Sequence, residues 1–397
     1  MDVINKAKLG AQIATIGAHV LWERVRRPVP TTLAQIPPST AELTPQWLTE
    51  ALFRDHPGAE VTRLRLGERS DGSTSRQVLF LDYNEAGHAA GMPERMFCKS
   101  SPAFTSRLIT GLSGALQSEA GFYMTLRPQV QMESPLAYYA AVDPVSARSI
   151  FLMEDIAFTR GAQFGDPTTL PVNRARAESM VTNLAAYHGK FWESPQLRSL
   201  PWLQTSLQFQ ERINATIDFE KRSMIGIERS EDIAPPEFLR RRREVYPATM
   251  RSLELNIAGP RTLLHSDMHL GNLYAVGQDR MGLFDWQCMT TGEWALDLVY
   301  ALMSALTIED RRAWEADLLA LYLEELARAG GVAPSFDQAW LRYRQQAFHG
   351  LIFWLYTIGA GRMQPNMQPR HISEANVARM TQAVVDLESL DSLSDRP

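Results

Sequence analysis

The sequence predicts an α+β chain in two lobes, a small β-rich amino-terminal lobe followed by a larger helical one. Three observations carry this. The chain has 397 residues with 45% hydrophobic content, enough for two cores. Strand-type runs dominate before residue 156, whereas segments after residue 171 place apolar side chains at helical spacing. Among those helices sits one block, residues 261–287 (RTLLHSDMHLGNLYAVGQDRMGLFDWQ), that reads as strand, polar loop and hairpin. The expected division is 1–38 as a helix and proline-rich connector, 39–156 as the amino-terminal lobe and 157–397 as the carboxy-terminal lobe.

Lys6 and Lys8 precede a mildly apolar stretch, but Gln12 and His19 interrupt it and no small-residue cleavage pattern follows, which argues against secretion. Leu9, Ile13, Ile16 and Val20 recur at helical spacing and the segment closes on Glu23, Arg24, Val25, Arg26 and Arg27. Residues 1–27 therefore read as an amphipathic helix packed on the body or on a second subunit, contact with a membrane surface being the alternative. RRPVPTTLAQIPP is an extended connector. Thr44 and Pro45 form a cap and first turn, with Trp47, Leu48 and Leu52 on one helical face.

Val61–Leu66 and Gln77–Tyr83 read as a hairpin around the polar turn GERSDGSTS. MPERMFCKS is a strand ending in Lys99, and LITGLSGALQSEAGFYMTL is helix-compatible and contains Glu119. SIFLMEDI is a buried strand running into an acidic pair, where Asp155 braces the turn. In the second lobe, Met180, Leu184, Tyr187 and Phe191 mark a packed helix on which His188 reads as structural. The segment 203–256 is helical and charge-rich, with Arg240–Arg243 as a solvated face. Helices are expected at 293–306, 309–329, 336–359 and 373–390. Phe348, Phe353, Trp354 and Tyr356 read as core, or as the wall of a pocket for a lipophilic alcohol.

Charge narrows the function. With 40 basic and 45 acidic residues the formal charge is −5, without the basic excess of a nucleic-acid binder. No stretch reads as a transmembrane segment. Cys98 and Cys288 stand singly, without metal-ligand or C-x-x-C spacing, which fits a reducing cytoplasm.

The block at 261–287 has spacing suited to one chemistry. Asp267 and Asn272 lie five apart and Asp285 thirteen further on, so a hairpin folds Asp285 back beside Asn272. That gives one base and two oxygen ligands. Phosphoryl transfer needs little more, because its catalysis is mostly positioning and charge neutralisation.

LLHSDMHLGNLY followed by LFDWQCMTTGEWALDLVY resembles the catalytic region of the aminoglycoside phosphotransferase and choline kinase group, particularly its ecdysteroid kinase-like branch. The resemblance implies a bilobal protein-kinase-like fold and transfer of the γ-phosphate of ATP, or GTP, to a small-molecule hydroxyl with Mg²⁺. It implies Asp267 as catalytic base, Asn272 and Asp285 as Mg²⁺ ligands, His265 as holding the loop, and Asp297 as structural. It further implies Lys99 on the nucleotide phosphates with Glu119 holding it, and the hairpin turn with Gly72, Ser73 and Thr74 over the phosphates, although G-x-G-x-x-G is absent. Backbone groups at Glu154 and Ile156 would meet the adenine edge. One departure is Ser266, where the family usually has glycine. Lipophilic alcohols, hydroxyacyl thioesters, amino alcohols and antibiotics are all open as acceptors, as is the oligomeric state. Two other readings stand beside the kinase: a metal-dependent hydrolase with His265, Asp267 and His269 on Zn²⁺, and a binding protein with a degenerate kinase fold.

Overall fold

In the computed structural model, which describes residues 3–71, 74–113, 115–361 and 367–394, alternation builds the first sheet. Leu79 and Leu81, Met96 and Cys98, and Ile150 and Leu152 each sit two apart and point to one face, where they are buried. The strands are β1 (Val61–Asp71), β2 (Ser75–Tyr83), β3 (Arg95–Ser100), β4 (Ala137–Val142) and β5 (Ser149–Glu154), antiparallel in the order β1-β2-β3-β5-β4. The helix Pro45–Leu52 closes that face with Trp47 and Leu48, and the Thr44 hydroxyl caps it by accepting from the Trp47 amide at 3.1 Å.

The amino-terminal helix, Val3–Arg26, packs through Ile16 and Val20 on Ala147 and Phe104. Its Glu23 carboxylate is buried and accepts from both terminal nitrogens of Arg107, at 2.8 and 2.6 Å, and is ion-paired with Arg148, whose Nε lies 2.8 Å away. These elements belong to one compact unit, Met1–Gln129 with Pro135–Gly161. The helix-compatible stretch around Glu119 is helical over Phe104–Ser113 and Ala115–Gly121 and runs on into a π-helical turn, Phe122–Leu126.

The other unit, Val130–Ser134 with Ala162–Pro397, is mainly helical. Its strands are β6 (Gln163–Phe164), β7 (Gln204–Thr205), β8 (Thr262–Leu264), β9 (Leu273–Val276), β10 (Arg280–Leu283) and β11 (Thr290–Gly292), in two small sheets ordered β10-β9-β6 and β7-β11-β8. Met180, Leu184, Tyr187 and Phe191 of the helix Arg174–Lys190 and its cap are buried. Helices Ala295–Ala305, Ile308–Arg328 and Arg370–Asp386 occupy the expected positions.

The expected helix at 336–359 is two, Phe336–Gln345 and His349–Ile358. Gln345 Nε2 donates to the Ser392 carbonyl at 2.8 Å and Gln346 Nε2 to the Ser252 carbonyl at 2.9 Å, so buried amide bonds fix the chain where it turns. The second helix packs closely on Phe219–Glu228, where a Cβ on Gly226 would fall 1.9 Å from the Leu355 carbonyl oxygen. Among the described residues no helix is long and apolar enough to cross a membrane.

Candidate active site

After β8 the chain enters the loop His265, Ser266, Asp267, and one carboxylate fixes its path. Asp297, fully buried on the helix Ala295–Ala305, accepts from the His265 amide at 2.6 Å, the Ser266 amide at 2.8 Å and the Tyr187 hydroxyl at 2.6 Å, with His188 Nε2 at 3.3 Å. Burial alone would raise its pKa, but the bonds it accepts from His188 and Tyr187 hold it below the usual carboxylate range. Burial in turn pushes His188 down, outweighing Asp297, so the ring is neutral. With Nε2–H facing Asp297, Nδ1 is the acceptor for the Tyr322 hydroxyl at 2.8 Å.

Ser266 takes a left-handed conformation, φ 64°, which explains why a glycine suits this position. Its carbonyl accepts from His349 Nε2 at 2.8 Å and its hydroxyl is hydrogen-bonded to Thr290 Oγ1 at 2.6 Å. The turn is thus held by amides, carbonyl and side chain together.

Asp267 emerges from this clamp with its side chain 33% exposed. Asn272 Nδ2 donates to its carbonyl and to Oδ2, both at 2.9 Å, and the Tyr300 hydroxyl lies 3.2 Å from Oδ1. Trp354 Nε1 donates to that hydroxyl at 3.1 Å. With the amide nitrogen of the buried Asn272 committed to Asp267, Oδ1 is the side-chain atom left to act as an oxygen donor. In the β9–β10 hairpin Leu273 pairs with Leu283 and the Phe284 amide bonds the Asn272 carbonyl at 3.1 Å, so Asp285 leaves the ladder next to Asn272, with φ 64°. An amide oxygen and a carboxylate, the two groups that flank the end of this ladder, are donor types that a hard divalent cation accepts.

His265 Nε2 donates to the Phe284 carbonyl at 3.0 Å, and Nδ1 accepts from the Asp267 amide at 3.3 Å. Both ring nitrogens are spent on backbone. His269 Nδ1 accepts from the Gly271 amide at 3.0 Å and its Nε2 lies 3.7 Å from Asp267 Oδ2, whereas His265 Nε2 is turned away to the Phe284 carbonyl. The zinc triad of His265, Asp267 and His269 therefore does not assemble, and among the described residues no group of three His, Cys, Asp or Glu side chains is arranged to hold a metal. The alternating spacing suggested it; the turn at Ser266 removes the extended geometry it needed.

In the sheet unit, Lys99 on β3 and Glu119 on the helix Ala115–Gly121 form a buried pair, Nζ lying 2.8 Å from each carboxylate oxygen. Lys99 Nζ also lies 5.8 Å from the Phe151 ring centroid. Thr74, at the end of the hairpin turn, is buried and its hydroxyl has no partner among the described residues; Gly72 and Ser73 lie outside the described residues. Glu154 donates its amide to the Leu136 carbonyl at 2.9 Å. Its side chain is taken up by Arg160 and Thr159, whose bonds lower its pKa against the effect of burial. Ile156 opens a short helix, Ile156–Thr159, and Asp155 braces the turn through Arg95 Nε at 2.6 Å.

Tyr300 escaped the sequence reading, as did Ser304, which accepts from the Leu270 amide at 3.1 Å and donates to Asn376 Oδ1 at 2.7 Å. The signal was present. Asp297, Tyr300 and Ser304 recur at i, i+3 and i+7 on an otherwise apolar helix, one polar seam facing the loop.

An antiparallel sheet unit, a helical unit, and a loop that holds Asp267 against Asn272 define a protein-kinase-like phosphotransferase architecture. The chain belongs to the phosphotransferase enzyme family (APH), whose model matches residues 103–334, more than half its length. Of solved structures it is similar to the microcompartment-associated aminopropanol kinase, at 14% identity and a TM-score of 0.50, with 88% of this chain and 99% of that one covered. It also aligns with the choline kinase LicA from Streptococcus pneumoniae, at 15% identity and a TM-score of 0.41, over 86% of this chain and 98% of that one. No curated protein matches the chain.

Proposed function

We propose that this phosphotransferase moves the γ-phosphate of ATP to an alcohol hydroxyl of a small molecule, with Asp267 as the base. One observation carries the reading: Asp267 is reachable from solvent, yet both its oxygens are held by donors, Asn272 on Oδ2 and Tyr300 on Oδ1. A carboxylate has about four acceptor positions, so two remain to take a substrate hydroxyl and orient it for in-line attack. Asn272 Oδ1 and the Asp285 carboxylate are suited to hold Mg²⁺, which when bound would neutralise phosphate charge. Lys99, kept straight by Glu119, is suited to do the same on the nucleotide, with Thr74 and its neighbours Gly72 and Ser73 donating to phosphate oxygens. The Glu154 carbonyl and Ile156 amide are assigned to the adenine edge. The resemblance of the catalytic block supports placement in the ecdysteroid kinase-like branch, and dependence on ATP supports a cytoplasmic site of action.

The test uses γ-labelled ATP with Mg²⁺ and a mixed pool of alcohols. Label should appear in an acid-stable organic product with wild-type protein and be absent with Asp267→Asn. Equal labelling by both proteins would refute the assignment of the base.

A further inference from the structure

β7 pairs with β11 through Thr290↔Gln204 and Thr291↔Thr205, and the helix Ser206–Thr216 starts directly from it, capped by Thr205 and Gln208. The segment just beyond Asp285 therefore anchors this helix beside the site. Phe209 and Arg212, three residues apart, share a face, the guanidinium carbon lying 5.5 Å from the Phe209 ring centroid. Phe209 stacks on Phe353 at 6.3 Å, and Phe353 lies 5.0 Å from His349, the residue that bonds the Ser266 carbonyl. The next residue, Trp354, bonds the Tyr300 hydroxyl that reaches Asp267. The Tyr300 ring lies 6.2 Å from that of His349, so neighbouring side chains run from Arg212 through Phe209, Phe353, His349 and Tyr300 to Asp267. Arg212, Phe209 and Phe353 are each only partly buried, so a small molecule can reach them.

Arg212 differs from the molecule's other sequestered arginines. Arg107, Arg311 and Arg342 each meet a carboxylate and Arg176 and Arg379 donate to backbone carbonyls, whereas among the described residues Arg212 has neither an ion pair nor a side-chain hydrogen bond. Burial draws its pKa down, and the Cys288 thiol, which also influences Tyr300, is the group that opposes this. The guanidinium stays charged all the same. A partly desolvated cation lacking a counter-ion is costly, and a bound anion offering two oxygens relieves that cost.

Resting on the phosphotransferase reading, we propose that the acceptor is a hydroxy acid: its hydroxyl lies at Asp267, its apolar or aromatic body along Phe353 and Phe209, and its carboxylate on Arg212. Cationic amino alcohols are disfavoured by the same charge.

The experiment measures ADP release with Mg·ATP by wild type, Arg212→Gln, Arg212→Lys and Arg212→Glu. The probes are para-(hydroxymethyl)benzoate and short, medium and long ω-hydroxycarboxylates, each beside its methyl ester and its matched amino alcohol. At least one acid should show a KM about ten- to hundredfold below that of its ester. The preference should vanish in Arg212→Gln, return in part in Arg212→Lys, and turn toward the amino alcohol in Arg212→Glu. Thermal stabilisation by Mg·ATP, followed in parallel in all four proteins, reports the phosphotransferase reading independently of the acceptor. Stabilisation by Mg·ATP with no acid preferred over its ester, or a preference untouched by Arg212→Gln, overturns the hydroxy-acid proposal alone. Absence of that stabilisation in wild type overturns both.

Discussion

Ser266 shows how a single residue can be held against its own preference. A left-handed conformation costs an ordinary residue about 1–2 kcal/mol, and here it persists because Asp297, His349 and Thr290 fix the amide, carbonyl and hydroxyl. Ser266→Gly relieves the strain and loses one buried hydrogen bond, so its stability should stay within about 1 kcal/mol of wild type. Ser266→Ala keeps the strain and loses the bond, and urea midpoints should show it lower by about 1 kcal/mol. Tyr300→Phe removes a donor to Asp267 and should slow turnover about tenfold while leaving stabilisation by Mg·ATP intact. Steady-state kinetics beside thermal unfolding separate those two effects. The loop that joins Asp267 to Asn272 and the hairpin that leads on to Asp285 were readable in the chain because their spacing is local. Tyr300 and Trp354 were not, because a buried aromatic with a polar tip reads as core until its partner is known.

At the level of elements, the helix Ala295–Ala305 acts as the clamp of the loop. Asp297→Asn replaces a carboxylate accepting from two backbone amides with a group whose NH₂ must face one of those donors. It should destabilise the helical unit by about 2–4 kcal/mol, seen as a fall in its urea midpoint. The first helix has a similar dependence on one buried charge. Arg107→Met leaves Glu23 buried with only Arg148 beside it and should cost about 3–5 kcal/mol, whereas exposed pairs such as Arg240 with Glu237 should cost little when broken. Helix positions were legible wherever apolar spacing was regular, as at Met180, Leu184 and Tyr187. The break between Gln345 and His349 was not, since apolar residues continue through it and the cause lies in amide bonds to Ser252 and Ser392, distant in sequence. That break brings His349 to Ser266, so the missed boundary is part of the site.

For the molecule as a whole, the buried histidines His188 and His349 shape the response to acid. Burial pushes both His188 and His349 below the ordinary 6.5. His349 bonds through Nε2, and its Nδ1 has no partner among the described residues, so a proton there would be an unpaired buried charge. The unfolded chain takes up these protons as pH falls through about 6.5, whereas the folded chain resists until lower pH. Stability is therefore full above that value and falls below it by about 1.4 kcal/mol per pH unit for each histidine. Asp297, depressed by its donors, adds a loss at lower pH still, as the medium falls through its folded value. Urea midpoints across this range, compared with His349→Asn, should show a shallower slope in the variant. The division into a β-rich and a helical part was legible because strand and helix periodicities separate along the chain. What joins residues distant in sequence, such as Arg212 to Phe353 through Phe209, was not.

The central claim is that Asp285, beside Asn272, holds the metal of a bound nucleotide while Asp267 serves the acceptor. Thermal unfolding with and without Mg·ATP tests it most directly, because a ligand that binds only the folded state raises its apparent stability. The predicted result is a Mg²⁺-dependent rise for wild type and for Asp267→Asn that disappears in Asp285→Ala. An equal rise in Asp285→Ala, or no rise in wild type, would contradict the claim.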